Sequence, residues 1–285
     1  MNKPTLSVIV LAWNQIDLTR DCLNSVRSST GGSYELILVD NGSTDGTAEL
    51  AQSAADIAVV NDSNLGFAAG HNTGLGKASG NLVAFVNNDT VLPHHWDLPL
   101  IEHFTQNPRA GIVLPAVTMA GNPVSVRSEP GRNVKTLLPF GEFPSGVVYV
   151  MRTDHLRQLG GWNEDFEKAS AEDLDLVFTV WAHGLDVILD TRVLVEHVSQ
   201  ASMRHVPDLP KLYRRNLEQF LDRWEEGPQG PTLDTVDRAE YKMNLERAKT
   251  AVRWIRRMLD ARDEASALRK QLEMSQTRRS FFRSS

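Results

Sequence analysis

Apolar runs without alternation, each closed by polar residues, recur through the first hundred positions. Leu82, Val83, Ala84, Phe85 and Val86 are apolar on both faces and lead straight into Asn87, Asn88 and Asp89. The same figure occurs in LSVIVL (6–11), just ahead of Trp13, in YELILVD (34–40), which ends on Asp40, and in IAVVN (57–61). Such runs predict strands covered on both faces, as in a parallel sheet. Between them the spacing turns helical. Over 14–27, Ile16, Leu18, Cys22, Leu23 and Val26 are available for one apolar face. NGSTDGT supplies a turn with Ser43 or Thr44 as helix cap, and GFAAGHNTGL a helix rich in Gly and Ala. This rhythm predicts an α/β fold built on a mostly parallel, doubly wound sheet. Ligands of such sheets bind beyond the C-terminal strand ends, where Trp13, Asp40, Asn61 and Asp89 fall.

The second half is less regular. GIVLPAV (111–117) and GVVYVM (146–151) read as strands, and Pro123, Pro130, Pro139 and Pro144 between them mark an irregular loop over the site. A short helix follows, stopped by Gly160 and Gly161, then a helix over 172–183 and short strands at 187–189 and 193–198. EEGPQGP (225–231) reads as a linker between a catalytic domain over 1–224 and an extension over 232–285. The extension predicts a long helix over 240–272, with Leu245, Ala248, Val252, Ile255 and Leu259 on one stripe and Ala251, Trp254, Met258 and Ala261 on the next. Its end, from about Ser275, is expected to be disordered.

Charge separates the two parts. From Thr232 onward there are 13 Lys and Arg against 8 Asp and Glu, and before it 17 against 28. An acidic body argues against nucleic acid as a partner. The basic helix has three candidate covers: its own domain, a second copy in a homodimer, or an anionic membrane where a lipid-linked acceptor waits. The single cysteine, Cys22, excludes an internal disulfide. No signal peptide and no run of roughly 20 apolar residues is evident. The expectation is a cytoplasmic protein, peripheral to the inner face of a membrane at most.

Four positions suggest chemistry: Asp40 and Asp89 at strand ends, the pair Glu172 and Asp173 opening a helix, and His197 closing a late strand. Each alone has a plainer reading: a turn, a helix dipole, a structural imidazole. Together they share one predicted sheet edge. A carboxylate and an imidazole, completed by water and phosphate oxygens, suit Mn²⁺ or Mg²⁺.

The segments SVIVLAWNQ, ELILVDNGSTDGT, NLGFAAGHNTGL, VAFVNNDTVLP, GGWNEDF, AEDLDL and VEHVS, in this order, resemble the inverting family 2 glycosyltransferases of the GT-A fold, in a rhamnosyltransferase-like group. The likeness covers roughly residues 6–224. It implies a nucleotide-sugar donor, a UDP- or dTDP-sugar, and a carbohydrate or lipid-linked acceptor. It places Leu11, Ala12, Trp13, Asp40, Asn72 and Asn88 around the nucleotide sugar, Asn88 either on the ribose or holding Asp89. It gives the metal to Asp89 and His197, the general base to Asp173, and the acceptor to Glu172 and Trp162. Inverting transfer is one displacement in which the acceptor hydroxyl loses a proton as it attacks. The plainer readings are a tightly packed glycine helix at 66–70 and a core anchor at Trp162. Arg204, Arg214 and Arg215 carry guanidinium forks suited to phosphate, with solvent exposure as the default. The family's Asp-x-Asp is here Asn87-Asn88-Asp89, with one carboxylate left. That departure is the feature favouring a catalytically inactive nucleotide-sugar or glycan-binding module. A nucleotidyltransferase is disfavoured, because LAWNQIDLTR has neither the glycine nor the lysine of a phosphate loop.

Overall fold

The computed structural model describes residues 3–119, 122–123, 134–137, 146–168, 170–198 and 208–281. Strands β1 (Leu6–Ala12), β2 (Tyr34–Asp40), β3 (Ile57–Val60) and β4 (Leu82–Asn87) alternate with helices α1 (Ile16–Ser29), α2 (Thr47–Ala54) and α3 (Phe67–Leu75). There follow β5 (Thr90–Val91), α4 (Asp97–Gln106), β6 (Ala110–Met119), β7 (Asn122–Pro123), β8 (Val134–Leu137), β9 (Val148–Arg152) and α5 (Thr153–Gln158). The chain closes with α6 (Glu172–Ala182), β10 (Asp186–His197), α7 (Leu209–Glu226) and α8 (Arg238–Phe281).

The sheet runs β3-β2-β1-β4-β9-β6-β10-β5. Its first four members pair in parallel. β9 is antiparallel to both β4 and β6, and β10 is parallel to β6. So β1, β2, β4, β6 and β10 all point the same way, and β9 starts at the edge where they end. The sheet is therefore parallel on one side and mixed on the other. The two short strands expected at 187–189 and 193–198 are one strand, β10, whose register on β6 shifts between Asp190 and Leu194. Arg192 and His103 both grip the buried Asp190 carboxylate at this bulge.

Successive strand residues point to opposite faces, so each strand feeds two cores. Val8, Val10, Leu36, Leu38, Ala84 and Val86 pack with Cys22, Val26, Trp96 and Leu100 on one side. Ile9, Ile37, Val39, Val83 and Phe85 pack with Leu75, Trp162, Leu176 and Val177 on the other. The glycines of α3 belong to this second face. A Cβ at Gly70 would stand 2.6 Å from Leu11, and one at Gly74 2.6 Å from Ile9, so they allow the helix to sit close on β1.

A third core joins α6, α7 and α8 through Phe178, Phe220, Leu221, Trp224, Ala248 and Val252. Residues 227–231 of the expected linker carry no helix or strand; α7 continues to Glu226 before them, and Leu233, beyond them, is buried in the second core. Of the three candidate covers for the basic helix, its own domain takes the first turns. Arg256 reaches Asp222 and Glu225 of α7. Trp254 and Met258 stay exposed, at 61% and 53%. α8 runs past Ser275, where disorder was expected, to Phe281. Among the described residues no helix is long and apolar enough to cross a membrane.

Trp224 is fully buried and its indole N–H donates to Asp175 at 2.7 Å. Trp224→Ala is expected to cost about 3–5 kcal/mol, read as a lower urea midpoint. An unchanged midpoint would mean that α7 and α8 contribute nothing to the catalytic body.

Candidate functional site

The β4 end and the β10 end meet through a strand that the sequence reading did not include. Thr90 and Val91 pair with His197 and Glu196 as an antiparallel ladder, and the Val198 amide donates to the Asp89 carbonyl at 2.9 Å. These bonds bring His197 Nε2 to 2.9 Å from Asp89 Oδ1, both residues buried. His197 Nδ1 has no hydrogen-bond partner among the described residues. Among the described residues no third Asp, Glu, His or Cys joins the pair to form a metal-sized cluster there. One carboxylate beside one imidazole fits a hard divalent ion that keeps water and donor phosphate oxygens as its other ligands. The pair is not a closed structural site.

Glu172 and Asp173 reach the same edge by another route. The Asn87 amide donates to the Val147 carbonyl at 3.1 Å, which sets the start of β9 beside the end of β4. Gly146, one residue earlier, borders Asp173: a Cβ there would lie 3.2 Å from Asp173 Oδ2. Burial, followed by the neighbouring Asp173 charge, pushes Glu172 up to about 8. Burial also pushes Asp173 above the ordinary carboxylate range, against hydrogen bonds from the Leu174 amide and its own that pull it down. The approach to this pair is strained. Lys168, Ser170 and Ala171 have φ of 59°, 85° and 71°, a region that costs non-glycine residues of order 1–3 kcal/mol each. Two helices hold it. The Phe67 amide of α3 donates to the Lys168 carbonyl at 2.6 Å, and Asn216 of α7 donates to the carbonyls of Glu167 and Ser170.

On the donor side, Asp40 is buried and accepts the Ser43 amide at 3.1 Å, which closes the turn at the end of β2. Trp13 stands half-buried just beyond β1. Asn14 and Gln15 follow in the left-handed region; the Asn14 side-chain oxygen accepts the Thr44 amide, and the Asn14 backbone N–H donates to Ser43 Oγ. Asn41 is a buried hub tying the ends of β2 and β3 to the start of α3 through Asn61, Asn64, Leu65 and Gly66. No role was assigned to Asn14 or Asn41 from sequence. The signal for Asn14 was its type, since asparagine tolerates the left-handed turn.

Several expected contacts resolve differently. Trp162 is 1% exposed, ringed by Phe67, Phe85, Tyr149 and His71, so its indole anchors a loop and offers no face to an acceptor sugar. Asn72 spends its amide on that loop, bonding Trp162 backbone atoms and Glu164, and is not free for a base. Its neighbour His71 is fully buried, and burial pulls its pKa down to about 3. The Asn88 side-chain amide donates to Thr19 of α1 at 3.0 Å, so it braces the turn that carries Asp89. Leu11 packs on Gly70, and Ala12 is buried with its carbonyl bonded to Asn41, so both back the rim from behind. Arg214 pairs with Glu218 and Arg215 with Glu167 on the exterior of α7, and Arg204 lies outside the described residues.

The raised Glu172 ties stability to pH with a definite sign. A folded pKa of about 8 against an ordinary glutamate value of 4.5 means the folded state holds the proton more tightly. The associated stability is complete below the unfolded value and is lost as pH rises through the folded one. Glu172→Gln should therefore melt at the wild-type temperature near pH 4 and a few degrees above it at pH 9. Thermal melts across that range check this, and a constant difference at both ends would contradict it.

Comparison with known proteins gives a consistent placement. The glycosyl transferase family 2 profile matches residues 7–170, more than half of the chain. Over 100 residues the chain is 35% identical to glycosyltransferase AglE of Haloferax volcanii, covering 33% of each protein. Over 210 residues it is 31% identical to the poly-beta-1,6-N-acetyl-D-glucosamine synthase of Staphylococcus epidermidis, covering 66% of this chain and 48% of that one. The chain spans only 33%, 13% and 27% of the length of AglE, of GlyA from Streptococcus pneumoniae and of EpsH from Bacillus subtilis. Its fold superposes on S. aureus TarS 1-349 in complex with UDP-GlcNAc at a TM-score of 0.64 and 16% identity, covering 85% of this chain and 70% of that one. The mannosyltransferase PcManGT of Pyrobaculum calidifontis, in complex with GDP-Man and Mn2+, gives 0.59 at 19% identity, covering 94% and 81%. The chain belongs to glycosyl transferase family 2, and its sheet with flanking helices is the GT-A fold.

Proposed function

We propose that this chain is an inverting glycosyltransferase that moves a sugar from a UDP- or dTDP-sugar to an acceptor hydroxyl by single displacement. The observation that carries the reading is the raised, partly open Asp173 carboxylate at the sheet edge that also holds the Asp89–His197 pair. Trp13 and Asp40, at the ends of β1 and β2, border the side where a nucleoside would lie. Asp89 and His197 would hold Mn²⁺ or Mg²⁺ against the diphosphate. When bound there, such an ion supplies Lewis-acid stabilisation of the departing nucleoside diphosphate. Asp173 takes the acceptor proton, and its raised pKa makes it a stronger base than an exposed carboxylate. Glu172, buried beside it, is itself raised by burial and by the Asp173 charge. The acceptor class is a carbohydrate or lipid-linked glycan, in keeping with the relative named as a polysaccharide synthase.

The test is release of nucleoside diphosphate from a panel of nucleotide sugars with Mn²⁺, paired with donor calorimetry. Asp173→Asn is expected to bind donor as wild type does and to lose about 10²-fold or more in turnover. Asp89→Ala is expected to lose the part of donor affinity that a chelator removes from wild type. Full turnover in Asp173→Asn removes the base assignment, and turnover undiminished by chelator removes the metal assignment. Donor binding with no turnover on any sugar would favour the inactive binding module.

A further inference from the structure

Helix α8 outruns the body it packs on. Its stripe at Leu245, Ala248, Val252, Ile255 and Leu259 joins the third core, and Leu259 is the last of its residues to do so. Residues 260–281 continue the helix for about 33 Å. A lone helix of that length is marginal in water unless one face is covered. The neighbouring stripe is open: Trp254 and Met258, on successive turns, are exposed. Around them the sequence keeps a strict step of three and four, through Ala251, Trp254, Met258, Ala261, Ala265, Leu268 and Leu272. Three heptads with 3.5 residues per turn are the pattern of a helix that winds on another helix. The charge along this stretch is mixed. Over 260–274, Arg262, Arg269 and Lys270 stand beside Asp260, Asp263, Glu264 and Glu273. An anionic membrane draws a helix whose polar face is basic, so this composition points to a protein cover.

We propose that α8 pairs with α8 of a second copy of this chain, as an antiparallel coiled coil centred between Met258 and Ala261. In this register position 254 meets position 265 of the other copy, 258 meets 261, and 251 meets 268. Each layer then sets a large residue against an alanine: Trp254 against Ala265, Met258 against Ala261, Leu268 against Ala251. A seam fills best when large and small residues alternate across facing positions. The same register brings Arg257 of each copy beside Glu264 of the other, an opposite-charge pair made twice by symmetry. A parallel, in-register pair does the reverse. It sets Trp254 against Trp254 and alanine against alanine, and it places Arg257 beside Arg262. The antiparallel arrangement also keeps the two bodies apart. Each body covers its own helix only between Tyr241 and Leu259, so the two fall at opposite ends of the seam. Such a two-fold contact closes on itself and stops at a dimer.

Sedimentation velocity of the full chain at tens of micromolar tests this, with thermal melting as the check on folding. Wild type is expected to run as a dimer, and Met258→Leu likewise. Met258→Glu puts two carboxylates at the centre of the seam. It is expected to weaken association about a hundredfold or more and to leave a folded monomer, because residue 258 is exposed on its own body. A nitroxide on Ser275→Cys reads the orientation, since Cys22 is buried and does not compete for the label. The antiparallel pair predicts about 45 Å between labels, from 1.5 Å per residue, and a parallel pair less than about 20 Å. A wild type that stays monomeric, a dimer that Met258→Glu leaves intact, or labels at the shorter distance each overturns the proposal. So does a monomer that floats with phosphatidylglycerol vesicles, because the open stripe then belongs to lipid.

Discussion

The antiparallel pairing of β9 with β4 is the contact on which the candidate site depends. The Asn87 amide and Val147 carbonyl, 3.1 Å apart, set the start of one strand beside the end of the other. That places Gly146 next to the Asn87-Asn88-Asp89 turn and brings Asp173, which borders Gly146, to the same edge. A slip of one residue would turn Tyr149 from one face of the sheet to the other. The β5–β10 ladder performs the same task for His197. Two short stretches of backbone pairing thus align Asp89 with His197, 108 positions on, and with Asp173.

What those pairings assemble is costly to hold. Two adjacent carboxylates are largely removed from water at the start of α6, behind a segment with three left-handed residues. The positive end of the helix offsets part of that charge. Bonds from Phe67 and Asn216 hold the segment from both sides. α7 is in turn backed by α8 through Trp224, Ala248 and Val252. The C-terminal helices therefore belong to the support of the Glu172–Asp173 segment, even where the outer face of α8, at Trp254 and Met258, stays open.

The parallel half of the fold was legible because β1, β2 and β4 are long apolar runs ending in polar residues, and a strand covered on both faces leaves little other reading. β5 was not, since two residues carry no period, and β10 read as two strands because its bulge at Asp190 interrupts the apolar pattern. The site was legible at the level of which segments converge. It was not legible at the level of which way a side chain turns. Asn72, Asn88 and Trp162 sit in the right segments, yet each faces inward, because loops that present a site must themselves be anchored.

The central claim is that Asp89, His197 and Asp173 act on one ion-bound donor from opposite sides. A crystal structure with Mn²⁺ and an uncleavable UDP-sugar or dTDP-sugar analogue tests it most directly, with the anomalous signal of manganese marking the ion. The account predicts a manganese peak bonded to both Asp89 and His197 and to the diphosphate, with the anomeric carbon facing Asp173. A manganese peak elsewhere, or an anomeric carbon turned away from Asp173, would contradict it.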